Sequence, residues 1–413
     1  MGKLIHFFKK RLRFIIFSML RILTMVLGLV TNIIIVRQLS IEDFGVFSVA
    51  LMLVGLLTTF GFSWSSSSIL YYGSKEKERF GSINKTFWAR NIIIFVSLII
   101  TTMIFILFRN QINAYIGLDI WFLLLLWLYV SVVENYLNQY FLAVNKQIMS
   151  TMLSITAKIF YIILILFLQF DVTTLIIIHI VSHASVILYV LGVNRKDIGK
   201  FEFDKSWFKE VLNFSLWQLF GFSGLYLINF GDIAVIKYLM DDQNVGIYNG
   251  ANQLFNAIVT FSFVISSYFA SSVSTYFEKN DGSAIKQFFY KERFYITGAS
   301  VVAHLIVILL SEPIIVTLYG ERYIESVSVF NILMIGSLIR YMAVFYTLYY
   351  NTNRKHKVLQ YVNIVRAIIN VLLSFILVKW FGIIGAAVGT TLAILVTFLF
   401  SVYYCEKRIK AFL

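Results

Sequence analysis

The sequence holds one proline, one cysteine (Cys405) and 21 acidic residues among 413. A lone cysteine excludes a disulfide scaffold and a cysteine-based zinc site. A lone proline excludes proline-rich linkers. Charged residues make up 14 % of the chain, against about 25 % in soluble domains. What fills the space is apolar: 59 % of the residues are hydrophobic and 17 % aromatic, with a mean hydropathy of +0.82. These values put the chain outside the soluble class. The balance of 35 Lys and Arg against 21 acids gives +14. In a soluble protein such an excess suggests a nucleic-acid partner, and the position of the cations tests that.

A membrane helix needs about 20 mostly apolar residues. Twelve segments qualify: 14–36, 44–72, 87–108, 120–143, 149–169, 173–193, 210–231, 244–273, 293–318, 324–350, 358–380 and 382–404. The first is too long for a cleavable signal peptide, and no small-residue cleavage site follows it. Cations crowd into alternate connections. They run from Lys3 to Arg13, Lys75 to Arg90, Lys146, Arg195 to Lys209, Lys279 to Arg293, Arg354 to Lys357 and Lys407 to Lys410. Only Arg37, Arg109, Lys237, Arg322 and Lys379 fall in the others. The positive-inside rule then puts both termini in the cytoplasm, and the basic excess needs no nucleic acid. No connection is long enough to hold an extramembrane catalytic domain, so the expectation is a protein that is not an enzyme. No GxxxxGK[ST] phosphate loop is present either.

The chain repeats itself. Arg37-Gln-Leu-Ser-Ile-Glu-Asp-Phe-Gly-Val-Phe-Ser-Val-Ala50 follows span 1. Lys237-Tyr-Leu-Met-Asp-Asp-Gln-Asn-Val-Gly-Ile-Tyr-Asn-Gly-Ala251 follows span 7. Both read cation, x, Leu, an acidic stretch, then hydrophobe-Gly-hydrophobe-aromatic. A weaker echo joins Ala143-Val-Asn-Lys146 to Asn351-Thr-Asn-Arg354. Spans 1–6 and 7–12 therefore read as two parallel copies, an N-terminal lobe at 1–195 and a C-terminal lobe at 196–413. Parallel repeats occur in transporters, with the substrate path between them.

Polar residues inside spans report the protein interior, because lipid satisfies no polar group. They fall on stripes with helical spacing. Asn32 lies on the stripe of span 1, Asn138 on span 4, Gln218 on span 7, Asn252 and Asn256 on span 8, and Asn363 and Asn370 on span 11. Spans 3 and 12 hold no ionisable residue in their centres and spans 6 and 9 hold only histidines, so these four read as an outer ring. The sharpest signal is four cations, Arg21, Lys158, Arg340 and Arg366. Each costs roughly 2.5–3.5 kcal/mol at a helix centre if it faces lipid. They are expected to face water or an anion, and Arg matches phosphate oxygens with two parallel hydrogen bonds. Arg21 and Lys158 lie near enough to the cytoplasmic edge to snorkel instead. Glu134 is the one acid well inside a span. It either neutralises a cation or couples transport to an ion. Asp232 reads as a solvated helix end. His179 and His183 share a helical face at metal-ligand spacing, but no acidic or cysteine partner is evident, so polar packing is the expectation. Lone His304 reads the same way. The run Ser63-Trp-Ser-Ser-Ser-Ser68 either loosens span 2 or lines a path. No metal or cofactor is expected.

Arg37-x-Leu-Ser…Phe44-Gly-Val-Phe47, Phe60-Gly61-Phe62, Leu318-Tyr-Gly-Glu-Arg-Tyr323 and Phe381-Gly-Ile-Ile-Gly-Ala-Ala387 give the chain a resemblance to polysaccharide flippases of the MOP (MATE-like) superfamily. Within it the chain is most similar to the O-antigen and lipid-linked repeat-unit exporters of bacterial envelopes. The resemblance covers nearly the whole chain. It implies an all-α integral membrane fold of twelve transmembrane helices in two parallel six-helix lobes around a central cavity, in the bacterial plasma (inner) membrane. It implies a substrate, an undecaprenyl-diphosphate-linked oligosaccharide moved from the cytoplasmic to the outer leaflet. Membrane lipid and other polysaccharide-assembly proteins are the implied partners. Arg21, Lys158, Arg340 and Arg366 are then the candidates for the diphosphate.

Three other readings compete. A MATE-type drug exporter shares the fold but would favour acids in its cavity. A major-facilitator-like carrier also has twelve spans, yet Gly73-Ser-Lys-Glu-Lys-Glu-Arg-Phe lacks the usual Gly, Asp and Arg pattern after span 2. An integral-membrane polysaccharide polymerase would need an outside catalytic loop, and the outer connections are short.

Overall fold

A computed structural model of the chain describes residues 2–194 and 200–412. Arg195 and Lys196, and with them the expected lobe boundary, lie outside the described residues. Among the described residues the fold is entirely helical. The helices are α1 (Gly2–Gln38), α2 (Ile41–Gly61), α3 (Ser66–Phe80), α4 (Asn84–Leu107), α5 (Arg109–Ile116), α6 (Trp121–Ala143), α7 (Gln147–Phe167) and α8 (Val172–Val193). The series continues with α9 (Lys205–Leu239), α10 (Asp242–Glu278), α11 (Gly282–Gln287), α12 (Arg293–Leu309), α13 (Ser311–Tyr319), α14 (Ser326–Thr352) and α15 (His356–Phe412). A helix satisfies its backbone internally, which lipid demands.

Ten helices among the described residues are long and apolar enough to cross a membrane. The last of these, Lys357–Lys410, has 54 residues, about 80 Å if straight, far more than the roughly 30 Å of a bilayer core. It breaks at Gly382, whose φ of +56° and ψ of −142° lie outside the helical region. Only glycine adopts that conformation without strain. The two arms fold back so closely that a Cβ on Gly385 would sit 2.2 Å from the Leu377 carbonyl oxygen. Phe381-Gly-Ile-Ile-Gly is thus a helical hairpin corner. The expected span 7 lies within α9, which is not one of the ten. Counting twelve means reading α15 as two spans and α9 as one.

Span 2 is broken as well. A single 3₁₀ turn at Ser63–Ser65 separates α2 from α3. There Ser65 Oγ donates to the Phe62 carbonyl at 2.9 Å and Trp64 Nε1 to that of Gly61 at 3.0 Å. Side chains in the serine run thereby satisfy carbonyls that the break frees.

The chain forms two compact units. Unit 1 comprises Met1–Leu39 and Ala50–Ser223, and unit 2 comprises Ser40–Val49 and Gly224–Leu413. In unit 1, α7 packs on α1 and α8, and α6 on α3, α7 and α8. Its core includes Ile69, Leu137, Phe141, Leu153 and Val186. The start of α9 belongs here because Asp204 caps it and Trp207 is anchored. Trp207 Nε1 donates to Thr86 Oγ1 at 2.9 Å and its ring meets Tyr72 edge-on. In unit 2, α14 packs on α10, α12 and α15, around Phe277, Phe288, Phe345, Tyr350 and Cys405.

Within unit 2 the two repeated motifs meet each other. A Cβ on Gly45 would fall 1.8 Å from the carbonyl oxygen of Asp242, and one on Gly246 would fall 2.1 Å from that of Ile41. Each glycine thus sits on the carbonyl four residues before the other glycine. One turn on, Asn249 Nδ2 donates to Ser48 Oγ at 2.7 Å. The acidic stretches of the motif are helix starts. Asp43 N–H donates to Ser40 Oγ, and Asn244 N–H to Asp241 Oδ1. Such caps satisfy otherwise orphaned donors. Lys237 Nζ closes the second copy on Asp242 at 2.7 Å.

Candidate functional site

In unit 1 the expected residues converge where α1, α6, α7 and α8 pack. Glu134 Oε2 lies 2.6 Å from His183 Nδ1. Ser154 Oγ donates to Glu134 Oε1 at 3.1 Å, and Asn138 Nδ2 donates to Ser154 Oγ at 3.0 Å. The His179 and His183 rings stack with centroids 4.1 Å apart. Tyr161 and Trp127 flank His179 at 5.2 and 5.1 Å. The histidine pair is therefore interior polar packing as expected, but it does have an acidic partner, Glu134. Helical spacing could not show this, because the partner comes from another helix. Lys158 Nζ donates to the Thr24 carbonyl on α1 at 3.1 Å. Gly28 leaves room for that ammonium, since a Cβ there would lie 3.2 Å from Nζ. Arg21, one turn before Thr24, is exposed with its guanidinium over the Phe17 ring at 4.9 Å. Asn32 and Gln218 are half-buried in the same unit.

Sequence reasoning missed one cation. Arg90 was counted with the connections, but it is a helix residue of α4 and only 2 % exposed. Its guanidinium lies over the Tyr136 ring at 4.7 Å and its Nη2 donates to Ser66 Oγ at 3.2 Å. The signal was its place inside the third apolar segment.

In unit 2 the charges are handled differently. Arg366 Nε donates to Thr397 Oγ1 at 3.1 Å. Arg340 has no hydrogen-bond or ion-pair partner among the described residues, and it lies near enough to Arg366 for the two charges to act on each other. Both are half-buried. Asn256 Nδ2 donates to Asn252 Oδ1 at 3.3 Å, and Asn363 is half-buried on α15.

Asp232 overturns its reading as a solvated helix end, because it is 6 % exposed. Ser374 Oγ and Asn370 Nδ2 donate to its Oδ1 at 2.6 and 3.1 Å. Tyr248 O–H and Thr390 Oγ1 donate to its Oδ2 at 2.6 and 2.5 Å. These donors come from α10 and from both arms of α15, so a position within one apolar stretch could not reveal them. The result is a buried carboxylate answered by four neutral donors. His304 is packed as expected, with Nδ1 at 2.8 Å from the Ser300 carbonyl and Nε2 at 3.0 Å from Ser337 Oγ.

The fold defines the class. It is similar to the structure titled lipid II flippase MurJ in an inward closed conformation, with a TM-score of 0.75 and 17 % identity, covering 95 % of this chain and 87 % of that one. It is also similar to an inward-facing multidrug resistance MATE transporter of the MOP superfamily, with a TM-score of 0.72 and 15 % identity, covering 94 % and 95 %. The fold is thus all-α and of the MATE-like type. Residues 13–273 match the polysaccharide biosynthesis protein family, and residues 219–376 match the MatE family. The chain belongs to the polysaccharide biosynthesis protein family. Two curated relatives match part of the chain. A probable low-salt glycan biosynthesis flippase, Agl15, of Haloferax volcanii is 21 % identical over 202 residues, 49 % of this chain and 43 % of that protein. An uncharacterized membrane protein of Methanocaldococcus jannaschii is 20 % identical over 237 residues, 54 % and 46 %. The chain spans less than half the length of these curated relatives.

Proposed function

We propose that the chain is a flippase that moves a lipid-linked anionic saccharide, an undecaprenyl-diphosphate oligosaccharide of the O-antigen type, from the cytoplasmic to the outer leaflet of a bacterial plasma membrane. The observation that carries this reading is the surplus of cations at membrane depth. Among the described residues Arg340 and Arg366 face no acid, in a family associated with polysaccharide biosynthesis. An uncompensated charge at that depth is costly unless a ligand answers it. A diphosphate offers what two guanidinium groups and an ammonium bind. In this reading the candidate cations for the diphosphate are Arg21 and Lys158 in unit 1 and Arg340 and Arg366 in unit 2. Asn32, Asn138, Gln218, Asn252, Asn256, Asn363 and Asn370 meet the sugars or order the cations. Twelve spans in two lobes, 1–195 and 196–413, with both termini cytoplasmic, would rock in alternating access. No bond is broken. Coupling falls to a buried carboxylate, Glu134 or Asp232, and other polysaccharide-assembly proteins receive the product.

A second reading is a MATE-type exporter of small molecules, favoured by the MatE match over 219–376. The sign of the interior charge separates the two. The deciding experiment deletes the protein in its own host and extracts lipid-linked sugars from each leaflet. A complete repeat unit accumulating on the cytoplasmic side, with surface polysaccharide lost, supports the flippase. Restored export by the wild-type chain but not by Arg340→Ala or Arg366→Ala, at equal expression, assigns the cations. Unchanged polysaccharide with altered drug sensitivity moves the assignment to the exporter.

A further inference from the structure

We propose that Glu134 and His183 form a proton-binding site in unit 1, and that its occupancy sets the charge this unit offers to an anionic ligand. The second half rests on the flippase reading.

The geometry fixes the roles of the atoms. A carboxylate only accepts, so the 2.6 Å contact to Glu134 Oε2 requires the hydrogen on His183 Nδ1. The exchanging proton therefore binds at Nε2. Glu134 is held as an acceptor from its other side by Ser154, which is held in turn by Asn138. The carboxylate cannot swing away without stranding the Ser154 hydroxyl and the buried His183 N–H. His183 is 6 % exposed, and its ring lies 23° from parallel to His179 at 4.1 Å.

The surroundings make the site take one proton and not two. From α8, a charge on His179 would set two positive rings face to face at 4.1 Å. From α7 come Lys158, whose charge acts on Glu134, and the neutral Tyr161. From α1 comes the Thr24 carbonyl that holds Lys158, with Arg21 one turn away. On the α3 side, Ser66 donates to Asn135 beside Glu134 and accepts from Arg90 of α4. The charged residues of α3 begin only at Lys75, more than two turns further on. Glu134 is thus the single acid shared by an imidazole and an ammonium. With His183 neutral, the Glu134 charge answers Lys158. With His183 protonated, Glu134 is answered by the imidazolium, and Lys158 is left as a net charge for an anion. An imidazole is the side chain that most readily gains or loses a proton in the cell.

Trp127, 5.1 Å from the His179 ring, is a built-in reporter of this stack. The experiment uses the full chain in lipid nanodiscs. Tryptophan emission is titrated from pH 5 to pH 8, and the signal of Trp127→Phe is subtracted. A one-proton step is expected in the wild type, absent in His183→Gln and displaced in Glu134→Gln, which keeps an acceptor but removes the charge. Melting curves of both variants confirm that they fold. A flat difference signal, or a step unchanged in His183→Gln, overturns the site. The second arm measures the affinity for undecaprenyl diphosphate at pH 8 and pH 6. One added charge near the ligand should strengthen binding roughly tenfold more in the wild type than in His183→Gln. Equal pH dependence in the two overturns the link to the ligand. No binding at either pH overturns that link together with the flippase reading, while the emission step still decides the proton site.

Discussion

In unit 1 the Glu134 carboxylate is met by an imidazole at 2.6 Å and feels the charge of Lys158. In unit 2, among the described residues, the Asp232 carboxylate meets four neutral donors, and Arg340 and Arg366 stand without an acid. Both units hold a carboxylate and at least two cations within their helices. Unit 1 sets acid and base within reach of each other, so its net charge depends on a proton. Unit 2 separates them, so its guanidinium groups are fixed cations and its carboxylate is answered by neutral donors. The same kinds of residue therefore give one half an adjustable charge and the other a constant one.

The largest effect should come from breaking unit 2 at its carboxylate. Asp232→Leu strands Tyr248, Ser374, Thr390 and Asn370, and a buried unpaired donor costs about 1–3 kcal/mol. We expect a loss near the top of what point substitutions produce, about 4 kcal/mol, against about 2 kcal/mol for Glu134→Leu, where only Ser154 and His183 lose an acceptor. Thermal unfolding of the purified variants measures both, and equal losses would refute the distinction.

The seam between the repeated motifs comes next. Gly45→Ala and Gly246→Ala drive a methyl into a backbone carbonyl, which cannot rotate away as a side chain could. Overpacking costs about 1–3 kcal/mol, and the matched geometry predicts similar losses for the two. Gly73→Ala, whose Cβ would meet its nearest neighbour at 3.5 Å, serves as the control and should stay within about 0.5 kcal/mol of wild type. A large asymmetry between Gly45 and Gly246 would show that the contact is not the paired one described.

A smaller effect of opposite sign in the two units sharpens the comparison. Lys158→Met leaves the Thr24 carbonyl and Glu134 without their cation and should destabilise by about 1 kcal/mol. Arg340→Met removes a charge that has no partner and should leave the melting temperature unchanged or raised, by the logic that apolar replacement of buried ions is often neutral or favourable. Export should still fall in Arg340→Met. A melting temperature lowered as much as in Lys158→Met would mean that Arg340 is structurally paired after all.

The apolar runs made most of the helices legible, and the cations at 21, 158, 340 and 366 stood out because lipid tolerates them poorly. The repeated Gly motif was visible too, but its cause was not: that Gly45 and Gly246 lie on each other's helix starts is a property of two segments 200 residues apart. Helix breaks within long apolar stretches were only half legible. The serine run suggested the interruption at Ser63–Ser65, and the gap between spans 11 and 12 fell at Gly382. Partners were the hardest to read. Asp232 looked exposed from its place near a segment end, Arg90 looked like a loop cation for the same reason, and Glu134 gave no sign of His183. A one-dimensional pattern gives depth along one helix, whereas burial and pairing depend on which other helix stands opposite.

The smallest expected effect lies at the edge of unit 1 and tests whether its pH response comes from the interior pair. Asp204 accepts from the backbone N–H of Trp207, from Ser206 and from Lys85 Nζ at 3.1 Å. These contacts, the backbone of Trp207 first, hold its carboxyl well below the usual carboxylate range. A carboxyl depressed in the folded state contributes stability that is complete above its unfolded value, near pH 3.9, and is lost as pH falls below that. The difference in melting temperature between wild type and Asp204→Ala should therefore be flat from pH 8 to pH 5 and shrink only under stronger acid. If the Asp204→Ala difference changes between pH 6 and pH 8, the cap at the start of α9 and the interior pair are coupled, and the neutral-range response of unit 1 cannot be assigned to His183 alone.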